Sequence, residues 1–548
     1  MAASDQTLRL DPITVEVIGN ALSTVVEEMG RALMRASYSA NIKERGDCSA
    51  AVFAPDGTLL AQAQQIPLHL GSLLGIATET LKRTDLSTVR PDDVFIGNDA
   101  YTGGGTHLND IVFFEPVFVD GTIVAWVANI AHHSDFVDRG HAHIFQEGLR
   151  IPPVRLYRAG VLQQDIMDLV LLNCQVPDER VSDFRAQMAS NRLGVQRMQA
   201  LFQRYGAGTI AAASNQLMDY SERMARAGIE AIPDGHYTFK HDFDTSLWPD
   251  ILPLAVAITI KGDEATFDFD GCPPQTRSGM NMVFTVLQAC VYFVVKTLID
   301  PDTPANAGFH RPLTITAPEG TVVNATAPAA VYSRHDVAQR LIDMMFAALA
   351  PAIPDRVPAG STGVTVQTVS GTHPRLGKFY VYNESMGGGM GARRLRDGLD
   401  GVHVNSTNSA NIPVEALESE YPLSVDVYEL VQDSGGAGKF RGGMAIRRRL
   451  SPIGHQATVN LGGPLNRVPA WGLEDGLPGG LARIELGAGV KPLSARNGML
   501  EGGQTAAAVT SGGGGYGDPL ARDRDLVRRD LREGRISAAA ARDVYGLE

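Results

Sequence analysis

The chain has 548 residues, of which 44% are hydrophobic and 20% charged, which is enough for two or three domains with a substantial core. A formal net charge of -13 argues against a nucleic-acid backbone as the main partner, because phosphate binding calls for clustered lysine and arginine. No apolar stretch reaches the length that spans a bilayer, and the N-terminus lacks the pattern of a signal peptide. We therefore expect a cytoplasmic protein without membrane or nucleic-acid partners.

Cysteine and glycine usage narrow the fold class. The four cysteines are widely spaced and form no C-x-x-C pair, so the sequence predicts neither a disulfide framework nor a thiolate zinc site. The 58 glycines, many of them in clusters, indicate tight turns and close approaches of the backbone. We therefore predict a loop- and glycine-rich enzyme of the α+β or α/β class, with several layers of helices and mixed antiparallel sheets.

Residues 1–230 are predicted to form an N-terminal region. Apolar residues at helical spacing indicate an opening helix, and apolar runs on either side of Pro-Asp-Gly-Thr and Asp-Gly turns indicate two strand hairpins. A long helical stretch follows them. In chain order, the predicted elements are a helix over residues 12–40, hairpins over 48–63 and 110–131, and helices over 166–226.

Composition shifts predict two further regions. Residues 231–350 form a predicted α+β middle region, and residues 351–548 a glycine-rich, β-rich C-terminal region. The C-terminal region ends in a charged, alanine-rich surface helix, which is a candidate docking element. The predicted elements are antiparallel strands over residues 235–270, helices over 285–298 and 336–349, and the terminal helix over 524–544.

Side chains that can bind a metal are concentrated around the second hairpin. His107 and Asp110 lie in the second half of the glycine-rich run GGGTHLND, which leads into the first strand of this hairpin. His132 lies at the end of the second strand. In a hairpin that turns at Asp-Gly, positions near Asp110 and Ala131 lie opposite each other, so the three side chains can converge. Two imidazoles and a carboxylate suit Zn²⁺, Mn²⁺ or Fe²⁺ and leave coordination positions open. Asp47, directly before the first hairpin, is a candidate fourth ligand.

The same residues have a plainer interpretation, in which His107 and His132 are hydrogen-bonded histidines at strand ends. Further along the polar stretch, His141 and His143 are typical of a solvated loop, with support of the metal ligands or a proton relay as the alternatives. Asp135 and Asp138 belong to the same stretch. Cys48 has no partner base that the sequence reveals, so a buried structural cysteine is favoured over a nucleophile.

Several motifs, in the same order along the chain, resemble the hydantoinase B/oxoprolinase family. The resemblance covers nearly the whole chain and does not depend on any single glycine cluster. The matching segments are NDAY at residues 98–101, GGGTHLND at 103–110, HHSD at 132–135, IFQEGLRIPP at 144–153, DSGGAG at 433–438, RGG at 441–443 and GGGGYGDP at 512–519.

The resemblance implies a two-subunit system for opening cyclic amides such as hydantoin, 5-oxoproline or another lactam. In this family a hydantoinase A-type partner of actin-like fold uses ATP and Mg²⁺ to phosphorylate the substrate oxygen, and the B-type chain completes the reaction at a metal. The chain has no G-x-x-x-x-G-K-[ST] phosphate loop, which agrees with that division. A hetero-oligomer is therefore expected. Two alternatives remain open, namely a subunit of an ATP-dependent ketone carboxylase, as in acetone carboxylase, and a non-catalytic assembly subunit.

Carried over position by position, the resemblance implies that a divalent metal is held by four ligands: Asp47, His107, Asp110 and His132. The candidate catalytic residues are His133, Glu44 and Arg45, and the further candidates for binding substrate or phosphate are His69, Asn98 and Arg393. For each of the latter six, structural hydrogen bonding is an equally good interpretation. The glycine turn at residues 387–389 is either an anion-binding nest or a tight turn.

Overall fold

The computed structural model describes residues 8–134, 141–492 and 497–547, which form an α+β fold of several layers. The described residues contain 11 α-helices. In chain order these are α1 Pro12–Ala36, α2 Ala40–Lys43, α3 His69–Arg83, α4 Gln164–Leu172, α5 Pro177–Tyr205, α6 Ala207–Glu230, α7 Phe284–Ile299, α8 Arg334–Leu349, α9 Val414–Glu420, α10 Arg524–Arg532 and α11 Ala538–Asp543. None of them is both long and apolar enough to cross a bilayer.

The first sheet has seven antiparallel strands in the order β2-β1-β5-β4-β3-β6-β7. It contains both predicted hairpins, together with three strands that the sequence analysis missed. Its strands are β1 Cys48–Phe53, β2 Leu59–Gln62, β3 Val94–Gly97, β4 Asp110–Val119, β5 Thr122–His132, β6 Val154–Arg158 and β7 Val161–Leu162.

Three smaller sheets follow along the chain. The second sheet has the order β11-β10-β9-β8, the third β13-β12-β16-β19-β18 and the fourth β14-β15-β20-β17. Their strands are β8 Gly235–Thr245, β9 Trp248–Lys261, β10 Glu264–Asp268, β11 Leu313–Thr316, β12 Thr365–Thr372, β13 Phe379–Met386, β14 Leu423–Leu430, β15 Ile446–Pro452, β16 Ala457–Gly462, β17 Arg483–Leu486, β18 Lys491–Pro492, β19 Asn497–Leu500 and β20 Ala506–Val509. The boundaries between regions near residues 230 and 350 stay predictions.

The core is built from helices on both faces of the first sheet. On one face, α1 and α5 pack against the strands, and α6 packs against α1. Helix α3 covers the other face and packs against α7, which packs against α8, and α8 lies on β8 and β9 of the second sheet. Helix α8 is buried along its whole length. This stacking brings the start of α8 to the edge of the first sheet.

Most predicted elements are present, with two differences at helix ends. The opening helix is shorter than predicted: α1 ends at Ala36, and the short α2 follows it. The predicted terminal helix over residues 524–544 is wrong as a single helix, because α10 and α11 are separate. Gly534 between them has φ +71, a left-handed conformation that ends a helix, and the Ser537 side chain accepts from the Ala540 N–H to begin the next one.

The glycine clusters of the C-terminal region pack side by side in what we call the glycine bundle, made of residues 359–360, 387–391, 434–443, 476–480 and 511–516. Its segments are joined by backbone hydrogen bonds, such as those from Gly389 N to Ser511 O at 3.0 Å and from Gly513 N to Gly443 O at 3.0 Å. A Cβ atom on Gly389 would lie 2.0 Å from Gly443 O. Close backbone approach therefore explains why glycine is clustered here.

Candidate metal centre

The predicted metal ligands lie at one edge of the first sheet, where β1 and β4 begin and β5 ends. Strands β4 and β5 are antiparallel, and their register places Asp110 opposite His132. Strand β1 pairs with β5 on its other side, with Cys48 opposite Ala131, and the His132 N–H donates to Asp47 O at 3.0 Å. The predicted pairing of Asp110 with Ala131 differs by one residue from the pairing observed. The hairpin register therefore brings residues distant in sequence to one point.

Three ligand atoms converge there. His107 Nε2 lies 2.8 Å from Asp110 Oδ1 and 3.1 Å from His132 Nδ1, and His132 Nδ1 lies 3.1 Å from Asp110 Oδ1. Two ligand atoms that each lie about 2.0–2.1 Å from the same metal, at octahedral or tetrahedral angles, are about 2.8–3.4 Å apart. In the described part of the chain, these three residues are the group of histidine, cysteine and carboxylate side chains whose ligand atoms all converge. Their spacing fits a divalent cation.

The protonation of this group also fits a cation. His107 Nδ1 lies 3.1 Å from Tyr332 O, which can only accept, so the Nδ1 atom carries the hydrogen. Burial, with Arg334 beside the ring, lowers the pKa of His107 to about 3, so the ring is neutral. Its Nε2 lone pair then faces a carboxylate oxygen of Asp110. Two acceptors at 2.8 Å repel each other unless a positive charge lies between them.

Arg334 and Thr106 hold Asp110 from the side away from the histidines. The Arg334 guanidinium donates to Asp110 Oδ2 at 2.7 Å and to Thr106 Oγ1 at 3.1 Å. Burial acts to raise the pKa of Asp110, but His107 and Arg334 outweigh it and hold that pKa well below its ordinary value. The carboxylate is therefore ionised, with one oxygen tied to Arg334 and the other directed at the histidines.

Three neighbours of the site were not predicted from the sequence: Tyr332, just before α8, and Arg334 and His335 at the start of that helix. All three line the same cavity as His107 and His132. The available signal was the polar run SRHD at residues 333–336, which opens a helix that is otherwise largely apolar and entirely buried. A buried charge at the start of such a helix requires a partner, and the partner of Arg334 is Asp110.

Asp47 lines this cavity beside the three converging ligands. Its Oδ1 lies 3.4 Å from His69 Nε2, and its Oδ2 lies 3.8 Å from the Arg45 guanidinium. Burial acts to raise the pKa of Asp47, but its hydrogen bond with His69 and the charges of His132 and Arg45 lower the pKa below its ordinary value. Asp47 stands outside the group of atoms that converge. Its role as the fourth ligand stays a prediction.

His69 and Arg45 support Asp47. The Ser49 hydroxyl accepts from the Ile66 N–H at 3.2 Å and lies 3.0 Å from His69 Nδ1, so it can donate to that nitrogen and leave the Nε2 hydrogen for Asp47. The buried Arg45 guanidinium donates to Ser409 Oγ at 3.0 Å and also contacts Asn41 and Ser385. Of the six polar residues predicted as catalytic or binding candidates, Arg45 and His69 are the two that line this cavity.

The glycine-rich run before His107 is packed too tightly for side chains. A Cβ atom on Gly105 would lie 1.8 Å from Asn98 O, and one on Gly104 would lie 2.0 Å from Ile76 N of α3. The Asn98 side chain donates to Leu108 O at 2.9 Å and so holds the end of the same loop. These contacts fix the position of His107 and give Asn98 a structural role.

His133 is turned away from the metal centre, although it follows His132 directly. Its Nε2 lies 3.1 Å from Gln187 Oε1 of α5, and its Nδ1 contacts the Arg180 guanidinium. Burial and Arg180 lower the pKa of His133 well below its ordinary value. Because successive residues of an extended strand point to opposite faces, His132 lines the cavity while His133 packs against α5.

The other predicted candidates lie elsewhere. Glu44 is exposed and is not among the residues that line the cavity. Arg393 lines a different cavity. His143 is half-buried and caps a short helical turn over residues 144–146, and His141 is also half-buried. Asp135 and Asp138 lie outside the described residues.

Cys48 and the glycine turn at residues 387–389 have structural explanations. Cys48 is fully buried, burial raises the pKa of its thiol, and all four cysteines are free. The Gly388 N–H donates to Val402 O at 2.9 Å, and the Gly389 N–H donates to Ser511 O at 3.0 Å. Both N–H groups already donate to backbone carbonyl oxygens, which favours the tight-turn interpretation over an anion-binding nest.

The cavity at the candidate metal centre has a volume of about 60 Å³, and residues at the third sheet line one side of it. The side of the first sheet contributes charged and imidazole groups, whereas the third-sheet side contributes Val364, Val366, Asn383 and Ser385. Ile66 and Leu68 add an apolar side wall. The arrangement presents a small, partly open space in which the three converging side chains, two arginines and an apolar wall lie close together.

Comparison with known proteins identifies the family of the chain. The family model for hydantoinase B/oxoprolinase matches residues 11–519. The B-type chain of a putative D-/L-hydantoinase from a Pseudomonas species is 31% identical, over 98% of this chain and 95% of its own length. The crystal structure of an ATP-dependent caprolactamase from Pseudomonas jessenii is similar with a TM-score of 0.86 and 29% identity, covering 98% of this chain and 96% of that chain.

A nucleotide-free structure of acetone carboxylase has a TM-score of 0.89 at 18% identity, and the match covers 98% of this chain and 79% of that chain. At this identity, the similarity shows a shared fold alone. The family model, by contrast, spans almost the whole chain, including every residue of the metal centre described above. The chain therefore belongs to the hydantoinase B/oxoprolinase family.

Proposed function

We propose that this chain is the metal-dependent subunit of an ATP-dependent hydrolase that opens cyclic amides such as hydantoin, 5-oxoproline or another lactam. In this proposal a hydantoinase A-type partner uses ATP and Mg²⁺ to phosphorylate the amide oxygen, and the present chain opens the ring of the phosphorylated intermediate. The observation that carries the proposal is the convergence of His107, Asp110 and His132 beside a small cavity. The names of the hydantoinase and caprolactamase relatives supply the substrate class.

His107 Nε2, Asp110 Oδ1 and His132 Nδ1 would hold the cation, with Asp47 as the proposed fourth ligand. When bound, a divalent metal lowers the pKa of a water molecule and polarises a substrate oxygen. Zn²⁺, Mn²⁺ and Fe²⁺ all accept this set of nitrogen and oxygen ligands. The hydrogen bond from His107 Nδ1 to Tyr332 O keeps the ligand nitrogen unprotonated.

The protein's own charges favour an anionic intermediate. Arg45 and Arg334 line the cavity and balance the charges of Asp47 and Asp110, so a divalent cation would leave the site positive. A phosphate group on the substrate supplies the matching negative charge, and Arg45 is held in place by its hydrogen bonds. Apolar contacts from Ile66, Leu68 and Val364 would exclude water from the ring carbons.

The first experiment measures the metal content of the purified chain by elemental analysis, together with ATP-dependent opening of a small panel of lactams in the presence of the partner subunit. We expect about one divalent metal per chain and ring opening that requires both subunits. In His107→Ala, which removes a ligand, we expect loss of both the metal and the activity without loss of the fold. His236→Ala is the matched control, because His236 is an exposed histidine on the second sheet.

Other results would select an alternative. Full metal content and full activity in His107→Ala would contradict the site. Metal without ring opening of any lactam would favour the ketone carboxylase alternative, for which the similarity to acetone carboxylase is one of fold. A metal-free chain that still supports full activity of the complex would favour a non-catalytic assembly subunit.

A further inference from the structure

A second and larger cavity lies next to the metal centre. Its volume is about 690 Å³, within the range of about 300–1,000 Å³ that is typical of small-molecule sites. Phe293 and Thr297 of α7 form one wall, and Met390 of the glycine bundle forms another together with Leu399, Gly401 and Val402. Residues 403–411, which we call the dividing segment, contribute most of the remaining wall.

The charge of this cavity is unlike that of the whole chain. Its charged lining residues are Arg356 and Arg393, and no aspartate or glutamate lines it in the part of the chain that the structure describes. The chain as a whole has a formal net charge of -13, so a cavity lined by two arginines and no acidic residue stands out. Such a site attracts anions.

Neither guanidinium is neutralised by the described residues. Arg393 Nε is buried and has no hydrogen-bond partner there, and Arg356 makes one long contact, at 3.4 Å, with Leu298 O. The neighbouring Arg394, by contrast, forms an ion pair with Asp355 at 2.5 Å. Arg356 is exposed, whereas Arg393 is half-buried. Holding the half-buried guanidinium of Arg393 without a counter-charge costs free energy, which a bound anion would recover.

Neutral polar groups add hydrogen-bonding capacity around the two arginines. Asn405, Asn408, Asn411 and His403 line the cavity. Burial lowers the pKa of His403 to about 4, with Arg45 acting in the same direction, so its ring is neutral. Two positive charges surrounded by neutral side chains match a doubly charged group with several acceptor oxygens, which is the chemistry of a phosphate monoester.

The dividing segment separates the two cavities by the thickness of one chain. His403 lines the larger cavity, and Thr407 lines the metal cavity. The distance from His403 Nδ1 to Thr407 Oγ1 is 3.3 Å. Ser409 lines the larger cavity and accepts from the Arg45 guanidinium, which lines the metal cavity, at 3.0 Å. A molecule in the larger cavity is therefore one chain segment away from the metal centre.

We propose that this second cavity is a binding site for a small molecule that carries a phosphate group, held by Arg356 and Arg393. Its role rests on the proposed function, in which the partner subunit phosphorylates the substrate. The phosphorylated substrate would bind in this cavity before it reaches the metal. Binding itself does not depend on that function, because the two arginines and the asparagines form the site without any residue that holds the metal.

The test is calorimetric titration of the full chain with inorganic phosphate and, separately, with methyl phosphate. In Arg356→Gln and Arg393→Gln we expect affinity to fall by about tenfold or more for each substitution, since each removes a charge-assisted hydrogen bond to the phosphate. Arg394→Gln is the matched control, because it removes a neighbouring arginine that already has a carboxylate partner. We expect it to bind phosphate as the unsubstituted chain does.

The His107→Ala variant separates this proposal from the proposed function, since it removes a metal ligand and leaves the second cavity intact. Phosphate binding that survives in His107→Ala and falls in the two arginine variants supports the second site, even if no lactam is opened. The proposal would be overturned if the unsubstituted chain bound no phosphate or if all variants bound it equally. It would also be overturned if Arg394→Gln lost as much phosphate affinity as the two arginine variants, or if His107→Ala lost phosphate binding. Circular dichroism of each variant confirms the fold, and either single arginine variant is sufficient if the other unfolds.

Discussion

The first sheet and the glycine bundle are both tightly packed, but the first is packed through large side chains and the second through backbone. The first sheet buries large side chains on both faces, among them Phe53, Phe113, Phe114 and Trp126, so its stability comes from apolar surface removed from water. The glycine bundle brings backbone directly against backbone, and a Cβ atom at many of its glycines would lie closer than 2.5 Å to a neighbouring carbonyl oxygen. Its stability depends on side chains being absent.

This difference predicts how well each region tolerates amino-acid substitutions. A side chain in a sheet can repack, because its neighbours are other side chains that can move. In the bundle the neighbour is a hydrogen-bonded backbone, which cannot move without breaking the contacts of the next segment. The candidate metal ligands lie at the edge of the first sheet, whereas Met390 of the bundle lines the second cavity.

The largest expected effect is in the glycine bundle. A Cβ atom on Gly512 would lie 1.7 Å from Ser434 O, so we expect Gly512→Ala to lower the free energy of unfolding by more than about 4 kcal/mol or to prevent folding of this region. Urea unfolding followed by tryptophan fluorescence measures it, because Trp471 lies beside the bundle and Trp126 in the first sheet. A loss below about 1 kcal/mol would contradict the tight packing that we describe.

In the first sheet, the stability of the chain should depend on pH through Glu115, a buried residue of β4. Burial raises the pKa of this carboxyl group from 4.5 to about 8, with Arg192 opposing and Asp92 reinforcing the shift. The folded chain therefore holds the proton at pH values where the unfolded chain has released it. Its stability should fall by about 1.4 kcal/mol per pH unit between these two values, or by about 3–5 kcal/mol in total.

Glu115→Gln should remove this slope, because the amide does not ionise in either state. Denaturant unfolding at about pH 5, 6.5 and 8 measures the slope in both proteins. The exposed Glu319 offers a matched control, since Glu319→Gln should leave the slope as it is. An unchanged pH dependence in Glu115→Gln would show that the folded chain ionises Glu115 at little cost.

The smallest expected effect is at a glycine outside the bundle. Gly262 lies in the turn between β9 and β10 with φ +60, and a Cβ atom there would meet nothing within 4 Å. Gly262→Ala should therefore cost only the strain of a left-handed conformation, about 1 kcal/mol. Thermal unfolding of this variant beside Gly512→Ala compares the two kinds of glycine directly. Similar losses in both would mean that close packing is not what distinguishes the bundle.

Much of the fold could be predicted because its signals are local. The hairpins at residues 48–63 and 110–131 follow from alternating apolar runs and turn residues, and the helices at α5, α7 and α8 follow from apolar periodicity. Helix α3 was missed, although it contains a regular apolar face, because His69 and three glycines or serines near its start are typical of a loop. The single terminal helix was wrong because Gly534 interrupts it.

The sequence by itself determined the class of fold, the family and the three residues whose ligand atoms converge, because a hairpin turn sets which strand positions face each other. Only the tertiary structure decided that Arg334 and His335 join the site from more than two hundred residues away, that His133 faces α5, and that Glu44 is exposed. Strand alternation and turn chemistry act between neighbours in the sequence, whereas the partner of a buried charge is chosen by how distant layers pack.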